Sequence, residues 1–214
     1  MKFRFSSLGY KGRAGFLLLI GSLIFFYGMV LAEFTYVDYS VSNNFISDLG
    51  NFDHLVPALI FNPSIILFGL CAIYAGVVLK NNLDRVLGIL IIIAGIGGMG
   101  VGIFNEATIL LLHLSFAFTV FLVGGFAIIW SIKVLYVPPL SYVLMVLAGI
   151  VFFFVSFVIS NMLFGTKIHF GIGVGGMERM VVFPTIIWVM IMGIYLLAQA
   201  NARNSSGKKA ESYQ

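Results

Sequence analysis

An all-α, polytopic membrane protein built as a bundle of six transmembrane helices is the fold that this sequence predicts. Three observations lead there. The 214-residue chain is 61% hydrophobic and only 9% charged, where a soluble domain carries roughly 25% charged residues. Its mean hydropathy is +1.09; a soluble fold of this size could not keep so much apolar surface from water, whereas a bilayer is a solvent for it. The apolar residues also gather in runs long enough to cross ~30 Å of hydrocarbon, at roughly 14–34, 57–79, 86–104, 108–131, 141–163 and 181–199. Short connections leave little over, so one domain, 1–199, is expected, followed by a polar tail, 200–214, expected to be disordered.

The first run follows Lys2, Arg4, Lys11 and Arg13, as a signal peptide core would. It is longer than the usual ~7–15 residues, and no small-x-small cleavage site follows, so it reads as the first span. The segment after it, TYVDYSVSNNFISDLGNFDHLV (35–56), is longer than a connection needs. Such loops are usually functional or disordered. Its mixed composition suggests packing over the helix ends, with Ile46–Leu49 as a short interfacial helix.

The second span carries Asn62–Pro63 about a turn and a half in. Proline removes one backbone donor and frees a carbonyl one turn earlier, and the Asn62 amide is placed to meet a neighbouring helix or to line a cavity. Cys71, the only cysteine, reads as a small buried hydrophobe. In the third span Gly95, Gly97 and Gly100 spell G-x-G-x-x-G, as do Gly171, Gly173 and Gly176 later. A dinucleotide site needs a strand and a βαβ unit around that motif, and neither match has them. Gly98 and Gly102 have small-xxx-small spacing, which favours close helix packing.

Only Asn105–Ala107 separates the third and fourth runs, and the polar Asn105–Glu106 pair favours a tight turn over one very long helix. Glu106 and His113 stand at the outer start of the fourth span, seven residues or ~700° of helical rotation apart, so the two differ by only ~20° and share a face. An ionisable group below the interface usually faces the bundle interior or a cavity; the blander alternative is a packing histidine beside an interfacial glutamate. The last connection, FGTKIHFGIGVGGMERM (164–180), is again long. Glu178 and Arg179 are expected just before the sixth span, where Glu178 suits the positive end of a helix dipole. Arg179 could hold a phosphate, or pair with Glu106 or Asp48 in a purely structural ion pair.

Lysine and arginine set the expected orientation. With both termini in the cytoplasm, ten of the twelve basic residues lie inside and only Lys167 and Arg179 outside, as the positive-inside rule requires. Six of eight carboxylates and all three histidines then fall on the outer side. Asp48, Asn62, Glu106, His113, Glu178 and Arg179 form the candidate ligand-binding set, an outward-facing polar pocket. No metal is expected, because His54, His113 and His169 come from three separate segments without ligand spacing. No cofactor motif and no G-x-S-x-G elbow is present; Ser47–Asp48 with a distant histidine is only a weak nucleophile pattern. The net charge of +4 is explained by membrane orientation, and nothing argues for nucleic acid.

Five pieces in order carry a family likeness: NNFISDLG, FNPSIILFG, GVGIFNE, LHLSFAFTVFLVGG and GGMERMVVFPTIIWVMIMGIYLL. Together they resemble the "domain of unknown function 998" family of prokaryotic six-span membrane proteins, over roughly residues 14–199. The most specific pieces are Gly102–Glu106 with His113, and Glu178–Arg179 with Pro184 and Trp188. The family pattern often has proline where this chain has Asn105, a departure that loosens the turn but leaves Glu106. The resemblance implies a six-helix bundle and no reaction. It is distantly similar to eukaryotic multi-span proteins of lipid-anchor remodelling and autophagy, a likeness that carries no activity here.

The expected function is therefore a multi-pass cell-membrane protein that interacts with membrane lipids or serves as an accessory subunit beside other membrane subunits. The first alternative is a membrane-embedded enzyme acting on a lipid headgroup at the outer leaflet. The second is a small-molecule transporter, which usually places polar residues near the midplane; the inner halves of these spans are almost free of ionisable groups.

Overall fold

The computed structural model describes residues 5, 8–106, 109–135 and 137–211. Its long helices are α1 (Tyr10–Thr35), α2 (Leu55–Asn82), α3 (Arg85–Ile103), α4 (Leu110–Leu135), α5 (Pro138–Phe164) and α6 (Gly173–Glu211). A one-turn 3₁₀ helix, Ser47–Gly50, lies between α1 and α2 where Ile46–Leu49 was expected, and no strand occurs among the described residues. All six helices are long and apolar enough to cross a membrane, so the predicted all-α, six-span architecture is the observed one.

The helices begin and end for local reasons. The Asp84 carboxylate caps α3 by accepting from Leu87 N at 2.8 Å, and the same oxygen accepts from Trp130 Nε1 at 2.9 Å, which ties α3 to α4. Proline opens α5, and Gly165 closes it in the left-handed region at φ 64°. Two helices, α3 and α4, stand where one very long helix was the alternative, and the connection between them includes residues 107 and 108, which lie outside the described residues. Two boundaries differ from expectation. Helix α4 starts at Leu110, so Glu106 stands in the α3–α4 connection and the shared-face argument for Glu106 and His113 does not apply. Helix α6 starts at Gly173, so Glu178 and Arg179 sit in its second turn and do not precede it. The glycine-rich run there has the composition of a loop, but its glycines serve close approach. The segment between α1 and α2 lies directly on this backbone. Gly175 N donates to Ser42 O at 2.9 Å, and a Cβ at Gly175 would stand 2.0 Å from Asn44 O. Helix α6 then continues through Glu211, and residues 212–214 lie outside the described residues.

Glycine also sets how the helices pack. Gly69 and Gly76 of α2 meet Gly95 and Gly88 of α3 backbone to backbone; a Cβ on Gly69 would come 2.6 Å from Gly95 O, and one on Gly88 2.6 Å from Gly76 O. Gly102 joins the row, with Ile65 Cγ2 at 2.7 Å and Asn62 O at 3.0 Å from its would-be Cβ. Positions 88, 95 and 102 recur every seven residues, two turns of helix, and so keep one face. Gly97 and Gly100 face α4 instead, against Phe116 and Val120. The glycines of the G-x-G-x-x-G match in α3 are thus helix-packing residues on two faces. Gly98 behaves differently, since the nearest atom to its would-be Cβ is Ile65 Cγ1 at 3.9 Å. At the other seam Gly15 of α1 and Gly193 of α6 abut, each would-be Cβ within 2.9 Å of the other's carbonyl oxygen. Lys11 Nζ donates to Gln199 Oε1 near the ends of these helices, so α1 begins and the apolar part of α6 ends at the same end of the bundle. That end is called the terminal end below, and the opposite one the far end.

Candidate functional site

The far end is organised by the segment between α1 and α2, which folds back over the bundle. Three side chains pin its 3₁₀ turn. Asn62 Nδ2 donates to Gly50 O at 3.0 Å. The Glu178 carboxylate accepts from Ile46 N. Asp48 Oδ2 accepts from Phe45 N at 2.9 Å and from Asn44 Nδ2 at 3.1 Å. The turn becomes a lid, and Ile46 and Ser47 beneath it face a cavity of about 100 Å³ inside the bundle.

Helices α1, α2, α3, α4 and α6 wall this cavity. Its polar side chains concentrate under the lid: Ser47, His113 and Glu178. Below them the walls are almost wholly apolar, from Phe61 and Gly98 down to Leu18, Ala72 and Met192, with Thr185 and Trp188 the exceptions. From Glu178 to Met192 α6 rises ~21 Å, more than half of a ~30 Å hydrocarbon core. The cavity is therefore narrow, deep, apolar and polar-capped. Ordered water needs about two to four polar partners, which only the cap can supply.

The six candidate residues separate into distinct environments. His113 is 3% exposed and its Nδ1 lies 2.8 Å from Phe104 O. A carbonyl only accepts, so Nδ1 is the donor, and in the neutral ring Nε2 is left as an acceptor. Glu106 receives a long hydrogen bond, 3.4 Å, from Ser47 Oγ. Its carboxyl is pushed up to about 7, first by burial and then by the adjacent Asp48, which competes for the same proton. Asn62 stands outside the cavity lining; its amide nitrogen serves Gly50, while its Oδ1 is buried without a partner.

Arg179 occupies a separate network. Its Nη2 contacts Glu33 Oε1 at 2.5 Å and Tyr39 Oη at 2.7 Å; its Nη1 donates to Val41 O and Gly175 O, both at 3.0 Å, and to Asn44 O at 3.4 Å. Its ion-pair partner is thus Glu33, and not Glu106 or Asp48 as the sequence reading weighed. Consecutive helical residues point ~100° apart, and Glu178 accordingly turns to the cavity while Arg179 turns to α1. The Tyr39 hydroxyl accepts from Arg179 and donates to Phe45 O at 3.1 Å. Burial pushes it up to about 12 in spite of the guanidinium.

Glu33, Tyr39 and Ser47 were not among the expected site residues. Glu33 had a visible signal as an ionisable residue closing an apolar span, with only two basic residues at the far end to pair with it. Ser47 had only the weak nucleophile pattern it forms with Asp48, and Tyr39 had no signal beyond its place in an overlong loop. Among the described residues no group of three or more His, Cys, Asp or Glu side chains could hold a metal ion.

A bundle of six apolar helices, five of which wall a polar-capped cavity, defines a multi-pass α-helical membrane protein. The chain belongs to the family described as protein of unknown function DUF998, whose model matches residues 19–195. No curated protein and no solved structure matches it.

Proposed function

We propose that this protein binds a membrane amphiphile, with the polar group under the lid and the adjoining part of its apolar chain in the cavity. One observation carries the reading: an apolar cavity within the bundle whose polar lining is gathered at one end. Empty apolar space costs dispersion contacts on every side, and in a bilayer the nearest material to fill it is a lipid chain. The basic asymmetry of the sequence supports cytoplasmic termini in a cell-membrane protein, an orientation in which the lid and cap lie in the outer leaflet. A transporter fits less well, because the cavity below the cap is lined by no ionisable side chain.

The test uses Gly98, which lines the cavity and has open space where a side chain would go. Wild type and Gly98→Phe are purified in neutral detergent and weighed by native mass spectrometry. The expected result is a lipid adduct on wild type that is lost from Gly98→Phe while the melting temperature stays within a few degrees. Equal adducts on both proteins would refute the reading.

An enzyme acting on a lipid headgroup is a second reading, favoured by the Ser47 hydroxyl that donates to Glu106, whose carboxyl lies near 7. Such a carboxyl can exchange protons at neutral pH. Headgroup release from a lipid reconstituted with the protein, abolished by Glu106→Gln, would support it.

A further inference from the structure

The charge of the cap identifies the polar group it receives. Arg179 is one of two basic side chains at the far end among the described residues, and its hydrogen bonds are all made to Glu33, Tyr39 and three backbone carbonyls. The other, Lys167, lies exposed in the α5–α6 connection. No cation therefore faces the cavity at its cap. What faces it is a carboxylate, Glu178, which receives one hydrogen bond, from Ile46 N, and which is not the ion-pair partner of the arginine beside it. Glu106 and Asp48 stand behind Ser47 and add negative charge. A desolvated carboxylate is costly when the neighbouring guanidinium acts on it only through space and makes its hydrogen bonds elsewhere, and a cation entering the cavity would relieve that cost. A phosphate or a fatty-acid carboxylate would add to it.

A second observation narrows the class. His113 is almost fully buried, lines the cavity, and has no hydrogen-bond partner at Nε2 among the described residues. With Nδ1 committed as a donor to Phe104 O, Nε2 offers a lone pair. Ser47 Oγ donates to Glu106 and keeps acceptor capacity of its own. The cap thus presents three acceptors: a carboxylate oxygen, an imidazole nitrogen and a hydroxyl oxygen.

Resting on the cavity reading above, we propose that the ligand is an apolar-chain molecule bearing a primary ammonium, whose three N–H donors meet Glu178, His113 Nε2 and Ser47 Oγ. A primary ammonium has three donors; a trimethylammonium has the same charge and none. The amine belongs either to a free long-chain amine or to the headgroup of an ethanolamine lipid, and both present the same group to the cap.

The experiment uses the full chain in neutral maltoside micelles. Hexadecylamine, hexadecyltrimethylammonium, hexadecanol and hexadecanoic acid are compared at equal mole fraction by native mass spectrometry and thermal melting. Lysophosphatidylethanolamine and lysophosphatidylcholine form a second arm. Hexadecylamine should bind about tenfold more tightly than its three analogues, a difference that one buried charge-assisted hydrogen bond can supply. Preference for the ethanolamine lysolipid over the choline one as well would assign the amine to a headgroup; preference for hexadecylamine alone would assign it to a free chain. Glu178→Gln, whose amide oxygen can still accept from Ile46 N, should erase the amine preference, bringing hexadecylamine binding to the level of hexadecanol. If the four single-chain compounds bind equally, or hexadecanoic acid binds best, the ammonium assignment is wrong although the cavity holds chains. If Gly98→Phe binds them all as wild type does, the cavity reading fails and takes this proposal with it.

Discussion

Replacing Arg179 by methionine should cost far more stability than neutralising its partner Glu33. The arginine side chain is 5% exposed and that of Glu33 21%. Arg179→Met strips the donor from four well-made contacts, those to Glu33, Tyr39, Val41 and Gly175 at 2.5–3.0 Å. At ~1 kcal/mol net for each buried hydrogen bond, the loss is about 4 kcal/mol. Glu33→Gln keeps an oxygen facing Nη2 and leaves the other acceptors of Arg179 untouched. Only the charge assistance disappears, about 1–2 kcal/mol. In the double variant the stranded Glu33 charge is gone, so it should fall no further than Arg179→Met alone. That makes the two losses non-additive by about 1 kcal/mol or more. Equilibrium unfolding in mixed micelles, run on all four proteins, measures each term. Equal losses from the two single changes, or an Arg179→Met protein within about 1 kcal/mol of wild type, would refute the view that Arg179 clamps the α1–α2 segment to α6.

Three further outcomes are expected. Gly95→Leu should destabilise the bundle by roughly 3 kcal/mol or more, the upper range for overpacking, because its would-be Cβ meets Gly69 O at 2.8 Å. Gly98→Leu, three residues on, should be tolerated, and comparative melts of the two variants decide. Stability should fall as pH rises from about 4.5 to about 7, because Glu106 is raised in the fold from its ordinary 4.5 to about 7 and the native state binds the extra proton there. Glu106→Gln should flatten that slope in a pH series of melts, and an unchanged slope would assign the effect elsewhere. In a Cys71→Ser background, a cysteine at Ser40 should react with an impermeant reagent in intact cells and one at Ala202 should not, and the reverse pattern would invert the proposed orientation.

The spans were legible because hydropathy is a property of a segment and needs no partner. The start of α6 was hidden because Gly171, Gly173, Gly175 and Gly176 signal a loop to any local reading, whereas close approach by Ser42 and Asn44 calls for small residues at Gly173 and Gly175. The Glu33–Arg179 pair joins residues 146 positions apart, and only two basic residues at the far end hinted at it. His113 and Glu178 could be singled out as polar groups in apolar surroundings. The cavity they cap could not, since Phe61, Val120 and Met192 look the same in sequence whether they face a neighbour, a lipid or a void.

The glycine seam between α2 and α3 has a consequence for how such a molecule can diversify. Gly69 and Gly95 line the cavity and at the same time touch across the seam, so neither can gain a side chain without prying the helices apart. That wall is closed to variation. Other parts of the lining carry side chains that can vary: Ala117 of α4, and Val182 and Ile186 of α6, line the cavity. On the proposed reading, relatives that accommodate longer, shorter or branched guests should differ at these positions, while the α2–α3 side stays the fixed jaw of the cavity.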